Sequence, residues 1–248
     1  MSKGEQKLWT RDELILAINL YCKTPFGKID RKNPEIIALA NLIGRTPNSV
    51  SYKLANFASI DPSLDRKGAM NVSHLDRKVW AEFFNNWDEM AFESEKMLAK
   101  MRGDEIIEDR IDEIEGKTRL AQVKIRVNQN FFRKMILTSY KETCCITGLR
   151  VKELLVASHI KPWSIDEKNR INPRNGLCLN ALHDKAFDVG LITFDDQFKV
   201  VVSNQVLKDK ENTIMLNKFH GVTIQMPNRF IPDQQFLDYH RNNIYRDS

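Results

Sequence analysis

Apolar residues recur at helical spacing through the first third of the chain. Leu14, Ala17, Ile18 and Tyr21 form one stripe over residues 9–21, with Thr10 as N-cap and Glu13, three residues on, as its capping-box partner. A second short helix is expected at residues 34–43, with Ile36, Ile37, Leu39, Ala40 and Ile43 inward and Gly44 ending it. Thr46 then caps a third, with Pro47 at its first position and Val50, Leu54 and Phe57 facing inward. Two short helices about a Gly-centred turn fit a helix-turn-helix outline, though plain helical domains share it. Residues 61–70 read as a loop. A fourth helix is expected over 75–90, where Val79, Trp80, Phe83, Phe84 and Trp87 make an aromatic core.

The pattern changes further along. Residues 93–115 are charged, interrupted by Gly103, and read as a connecting helix or linker. Residues 119–127 read as a strand or an irregular basic segment. Residues 131–140 read as a helix burying Phe132, Met135, Ile136 and Tyr140. Then come an extended stretch at 154–157, a helix at 181–187, and two β-rich runs at 191–194 and 198–202 joined at Asp195 and Asp196. A polar helix near 234–245 carries no chemistry to single out. The order is α+β: a helical domain at 1–92, a connecting segment at 93–118, and a second domain at 119–248.

At 248 residues and 42% hydrophobic, the chain supports a sizeable core. No run approaches the roughly eighteen apolar residues of a membrane span. Residues 1–7 lead into a charged helix rather than an apolar signal segment, so no membrane partner and a cytoplasmic location are expected. Cys22, Cys144, Cys145 and Cys178 are then expected as thiols. The net charge of +5 is unevenly placed: residues 117–152 hold nine Lys or Arg against Glu142, while residues 104–115 hold seven acids against Arg110. A basic block of this kind suits a phosphate backbone, and Arg126, Arg133 and Lys134 lie in it. On the third helix, Asn48, Ser49, Ser51, Tyr52, Lys53 and Asn56 are candidates for base or phosphate contact, with Ser51 and Lys53 taken as phosphate ligands.

The chemistry concentrates between His159 and Asp188. An extended segment ends at His159, a loop turns over through Asn175, and a short helix presents His183 and Asp184. Phosphodiester hydrolysis needs a base for water and an offset for phosphoryl charge. His159 suits the first, since imidazole titrates near neutrality, and Asn175 can hold its ring through the side-chain amide. His183 would bind a divalent cation, with Asp184 and Ser158 as further ligands. Asp188 lies one helical turn beyond Asp184 and shares its face. Lys161, Arg170 and Arg174 in the connecting loop are candidate phosphate clamps. Taken singly, each has an ordinary structural reading: a core histidine, a helix cap, an Asn-Gly turn.

In ordered combination these motifs resemble the HNH endonuclease family, in its restriction-like and prophage-encoded bacterial branch. The resembling residues are Cys144-Cys145-Ile146-Thr147-Gly148, Ser158-His159-Ile160-Lys161-Pro162-Trp163, Asn175-Gly176-Leu177, His183-Asp184 and Phe187-Asp188-Val189-Gly190-Leu191-Ile192, with Arg126, Gln129, Phe132 and Arg133 upstream. The resemblance spans roughly residues 126–202. It implies a ββα-metal fold holding one Mg²⁺ or similar ion, with Mn²⁺ or another transition metal as substitutes. It also implies His159 as base, Asn175 as its orienter, His183 as ligand, and a double-stranded DNA substrate. Three positions depart from the pattern. Ser158 stands where many members carry Asp or His, which shifts the missing ligand toward Asp184. Thr147 and Leu182 stand where a four-thiolate zinc site needs cysteines, so no complete structural zinc site is expected. Double-strand cleavage by one active site per chain makes a homodimer a candidate assembly. Restriction, defence and mobile-element roles, and an RNA substrate, are not separated by sequence. The alternative is a DNA-binding protein that retains the fold with a degenerate centre.

Overall fold

The computed structural model describes residues 7–64, 71–104, 113–209 and 214–247. The start at residues 1–6, the second half of the 61–70 loop and most of the acidic run at 104–115 lie outside the described residues. An N-terminal helical region precedes a small mixed β/α region, and the chain divides into two compact units, Met1–Asn128 and Gln129–Ser248. Among the described residues, no helix is long and apolar enough to cross a membrane.

The first unit is built on α1 (Arg11–Lys23), whose residues from Glu13 to Cys22 are all buried. Its start is closed as the sequence predicts: Thr10 accepts from the Glu13 amide and Glu13 returns the bond to the Thr10 amide. Next come α2 (Pro34–Leu42) and α3 (Pro47–Ile60), each with Pro at its start and an Asn33 or Thr46 cap. Ile37, expected inward, is more than a third exposed. The single helix expected at 75–90 is instead α4 (His74–Asn85) and α5 (Trp87–Arg102), broken at Asn86, whose φ of −139° and ψ of 58° leave the helical region. The break lets Trp87 fold back edge-on to Phe83 and against Phe84, extending the cluster of Tyr21, Phe57 and Trp80. Gly103 caps α5 with φ +74°, a left-handed conformation that glycine adopts without steric cost.

Most charges buried in this unit are ion-paired; Asp61 instead accepts from the Tyr21 hydroxyl at 2.7 Å and the Ser63 hydroxyl at 2.6 Å. Lys53 reaches both carboxylate oxygens of Asp76 at 2.8 and 2.9 Å, with Asp76 fully buried. Glu13 takes Arg45 at 2.7 Å and Lys7 at 3.1 Å.

Residues 119–127, expected as a strand or irregular segment, belong to a 27-residue helix, α6 (Glu113–Ser139). Its apolar Leu120, Val123 and Val127 recur at helical rather than alternating spacing. In the second unit, Phe131, Phe132, Met135, Ile136 and Leu137 of α6 are buried. Strand β1 (Leu155–His159) pairs antiparallel with β2 (Gly176–Asn180), placing His159 opposite Gly176 and Leu155 opposite Asn180. A Cβ on Gly176 would come within 2.4 Å of Ile136 and 2.7 Å of Phe132, so this glycine admits α6 onto the hairpin.

Helix α7 (Ala181–Asp188) follows β2 without a loop because Asn180 ends the strand and caps the helix, accepting from the His183 amide. A second hairpin, β3 (Ile192–Phe194) with β4 (Val200–Val202), is closed by Asp195, whose carboxylate accepts from the Gln197 and Lys199 amides. Two short helices, α8 (Asn204–Lys208) and α9 (Ile214–Asn217), precede α10 (Gln234–Asn243).

Candidate active site

The end of β1, the following loop and one face of α7 enclose a cleft of about 460 Å³. Ser158, His159, Pro162 and Trp163 line it from the strand and loop, Asp184 and Asp188 from α7, and His240 and Ile244 from the C-terminal region.

His159 is held on three sides. Its Nε2–H donates to the Arg170 carbonyl at 2.8 Å, which leaves Nδ1 as the unprotonated nitrogen. Its ring stacks on Phe132 at 4.1 Å and 10°, and meets the Trp163 ring edge-on at 5.4 Å. Burial lowers its pKa below the usual 6.5, with the Arg170 carbonyl partly opposing. The ring is therefore neutral at pH 7, with a lone pair on Nδ1 and no hydrogen-bond partner for it among the described residues.

Asn175 serves differently from expectation. Its amide is expected on the His159 ring. Instead its Oδ1 accepts from the Lys161 amide at 2.8 Å, and its Nδ2 donates to the carbonyls of Lys161 and Asn169. Asn175 thus ties together the two ends of the 160–175 loop, and that closure brings the Arg170 carbonyl to the histidine. A side-chain amide that bridges backbone this way acts on the ring only through the loop.

His183 also departs from expectation. It is 2% exposed and does not line the cleft. Its Nδ1 faces the Asn180 side-chain oxygen at 3.0 Å, its ring meets Phe219 edge-on, and its Nε2 is buried without a hydrogen-bond partner. Burial, aided by the charge of Lys218, brings its pKa down to about 4. One residue later the helix has turned by about 100°, and Asp184 and Asp188 reach the cleft instead.

Both carboxylates are shifted upward, and desolvation is the leading cause at each. Burial shifts Asp184 upward, while the Ser158 hydroxyl and Lys185 pull the other way. For Asp188 burial again leads, Asp184 adds to it, and Lys185 opposes. Neither makes a salt bridge within the described residues. Ser158 is 2% exposed, and its hydroxyl lies close enough to Asp184 to affect its titration yet outside good hydrogen-bond geometry.

The expected phosphate clamps are mostly occupied internally. Lys161 pairs with Asp166 at 3.0 Å, Arg170 bonds the Trp163 carbonyl and Glu167, and Arg174 pairs with Asp233. Arg133 donates to the Leu155 and Lys152 carbonyls, bracing the entry to β1. Arg126 and Lys134 are exposed on α6. In the first unit, Lys53 is buried on Asp76 rather than displayed, because α4 starts directly over it; Ser51 is partly exposed and Tyr52 half-exposed.

Two contributors carry no readable sequence signal. The Arg170 carbonyl is backbone, and His240 lies 52 residues beyond Asp188 in a stretch without a motif. Cys22, Cys144, Cys145 and Cys178 are all buried, the last three as the expected free thiols. Cys144 Sγ accepts from the Asn180 amide at 3.3 Å, and Asn180 donates to the Thr147 hydroxyl, so side-chain hydrogen bonds join the 144–147 turn to β2.

No curated protein matches the chain. A solved structure titled "Modification dependent TagI restriction endonuclease" aligns with a TM-score of 0.33 and 20% identity, over 46% of this chain and 38% of that one. Residues 144–195, which carry β1, the loop, β2 and α7, match the HNH endonuclease family, and this segment is an HNH endonuclease-like region.

Proposed function

We propose that the second unit is a metal-dependent phosphodiester hydrolase acting on DNA, with β1, β2 and α7 as its ββα-metal unit. The observation that carries the reading is His159: a neutral imidazole, fixed through Nε2, with Nδ1 open in a cleft shared with two unpaired carboxylates. Nδ1 accepts the proton of the attacking water. The Arg170 carbonyl then stabilises the imidazolium that forms, because it accepts from the opposite ring nitrogen.

Asp184 and Asp188 would hold the divalent cation, with the Ser158 hydroxyl oxygen beside them. The donor chemistry fits Mg²⁺ or Mn²⁺. Both carboxylates are hard oxygen ligands whose ionisation is made costlier by desolvation, with Asp184 adding to the cost at Asp188, and a cation relieves this. No group of three or more His, Cys, Asp or Glu side chains gathers for a metal among the described residues. Mg²⁺ is commonly held by one or two carboxylates and completed by water and substrate phosphate. When bound, the ion supplies Lewis-acid stabilisation of phosphoryl charge. DNA as substrate is supported by the endonuclease family match and by the exposed Arg126 and Lys134.

Plasmid DNA incubated with the full chain in Mg²⁺, Mn²⁺, Co²⁺ or Ni²⁺ tests this, run beside His159→Ala. Nicking or linearisation in at least one metal, slowed about 10²–10⁴-fold by the substitution, is the expected outcome. If wild type and variant are equally inert in all four, the enzyme reading fails. Ser158, in a ligand position of the family, then favours a DNA-binding protein with a degenerate centre.

A further inference from the structure

Helix α10 lies outside the segment that matches the family, yet its His240, and Ile244 just beyond its end, form part of the cleft wall. His240 is 1% exposed and uses both ring nitrogens. Nε2–H donates to the Phe187 carbonyl at 3.0 Å, so Nδ1 accepts from the Thr193 hydroxyl at 2.9 Å. The ring also stacks on the Phe187 ring, with centroids 3.7 Å apart and planes 4° from parallel.

Phe187 sits between Asp184 and Asp188, in the last turn of α7. Carbonyls there lack an intrahelical partner; that of Phe187 accepts from the Gly190 amide at 3.0 Å as well as from His240, so donors from beyond the helix steer it. Gly190, just past the helix, is pressed equally closely. Its φ is +77°, the Ile244 carbonyl lies 2.1 Å from where a Cβ would stand, and its own carbonyl accepts from the Arg246 amide at 3.0 Å. The C-terminal region therefore grips the end of α7 at Phe187 and again at Gly190. A phenylalanine at 240 would supply the stacking alone. A buried histidine bonded at both nitrogens adds direction, since each bond holds the ring against rotation.

We infer that His240 is a positioning residue that fixes the last turn of α7, and through it the spacing of the Asp184 and Asp188 carboxylates as a pair able to hold a divalent cation. This rests on the reading that those two carboxylates are the metal ligands. Groups that orient metal ligands from outside the coordination shell commonly change affinity by about 10–100-fold when removed.

Mn²⁺ binding to the full chain, followed by the loss of the free-ion electron paramagnetic resonance signal, separates the possibilities without reference to catalysis. His240→Phe keeps the stack and loses both hydrogen bonds; it should weaken Mn²⁺ binding about 10-fold or more. His240→Gln, which restores a donor near the Phe187 carbonyl, should recover part of that loss. Thr193→Val removes only the bond to Nδ1 and should give a smaller loss in a protein that keeps its thermal transition. Wild-type Mn²⁺ affinity in a folded His240→Phe protein would overturn the inference. Should that variant not fold, wild-type affinity in Thr193→Val overturns it. If Asp184→Asn with Asp188→Asn binds Mn²⁺ as the wild type does, the metal reading itself fails and takes the positioning role with it.

Discussion

The two units hold their carboxylates differently. In the helical unit Lys53 lies on Asp76 and Glu13 between Arg45 and Lys7, while buried Asp61 is held by the Tyr21 and Ser63 hydroxyls. In the second unit, half-buried Asp184 and exposed Asp188 share a cleft and are both shifted upward, Asp184 adding to the shift at Asp188, with no salt bridge to either among the described residues. Completed pairing marks charges that belong to the fold. Carboxylates made costly and left facing a cleft, beside an imidazole with a free nitrogen, mark a place where the fold gives up stability for chemistry.

The sharpest way to break this contrast is to remove a charge from each unit. Lys53→Met leaves fully buried Asp76 without its counter-charge, which should cost about 3–5 kcal/mol of stability in the helical unit. Asp188→Asn should do the reverse, raising the thermal midpoint of metal-free protein slightly, because it removes a repulsion and breaks no pair. Thermal melts in the presence of a chelator measure both. A loss of stability in Asp188→Asn comparable to that of Lys53→Met would erase the distinction.

A smaller effect separates the units by pH. His183 and His240 both sit at about 4 against an ordinary 6.5, because burial disfavours the imidazolium; Lys218 adds to this at His183, while the Phe187 carbonyl opposes it at His240. The folded second unit thus binds fewer protons than the unfolded chain. The stability these histidines contribute is complete above pH 6.5 and declines as the pH falls toward 4. Glu13 behaves otherwise. Burial raises it, but Arg45, the Thr10 amide and Lys7 outweigh burial and hold it at about 2. Its contribution is complete above its ordinary 4.5 and is lost only as the pH falls toward 2. Hydrogen exchange resolved by unit should therefore show the second unit losing protection first between pH 6.5 and 4. Simultaneous loss in both would contradict the assignment.

Local signals were the legible ones. The Thr10 and Glu13 capping box, the Thr46-Pro47 start and the order of extended segment, loop and α7 are written in short stretches, and the structure has them; strand β2 was implied only by the family resemblance. The helix over residues 119–127 was less visible, because Val123, Ile125 and Val127 also alternate as a strand would. The break at Asn86 was hidden by aromatics that continue the helical spacing across it. Within the site, His159 was readable from its place at a strand end. The partner of its ring was not, since a backbone carbonyl has no letter of its own. Adjacent His183 and Asp184 show the limit most clearly. Residue type favours the histidine as a ligand, while helix rotation and the Asn180 cap turn it into the core and leave the carboxylates one turn apart in the cleft. His240 depends on a contact across half the unit, which one sequence cannot express.

The central claim is that the open carboxylates of α7, and not its buried histidine, hold a divalent cation. Calorimetric titration of Mn²⁺ into wild type, the Asp184→Asn and Asp188→Asn double variant, and His183→Asn tests it most directly. The account predicts that the double variant loses binding while His183→Asn, once shown to be folded, keeps it within a few-fold. Retained binding in the double variant, with loss confined to a folded His183→Asn, would contradict it.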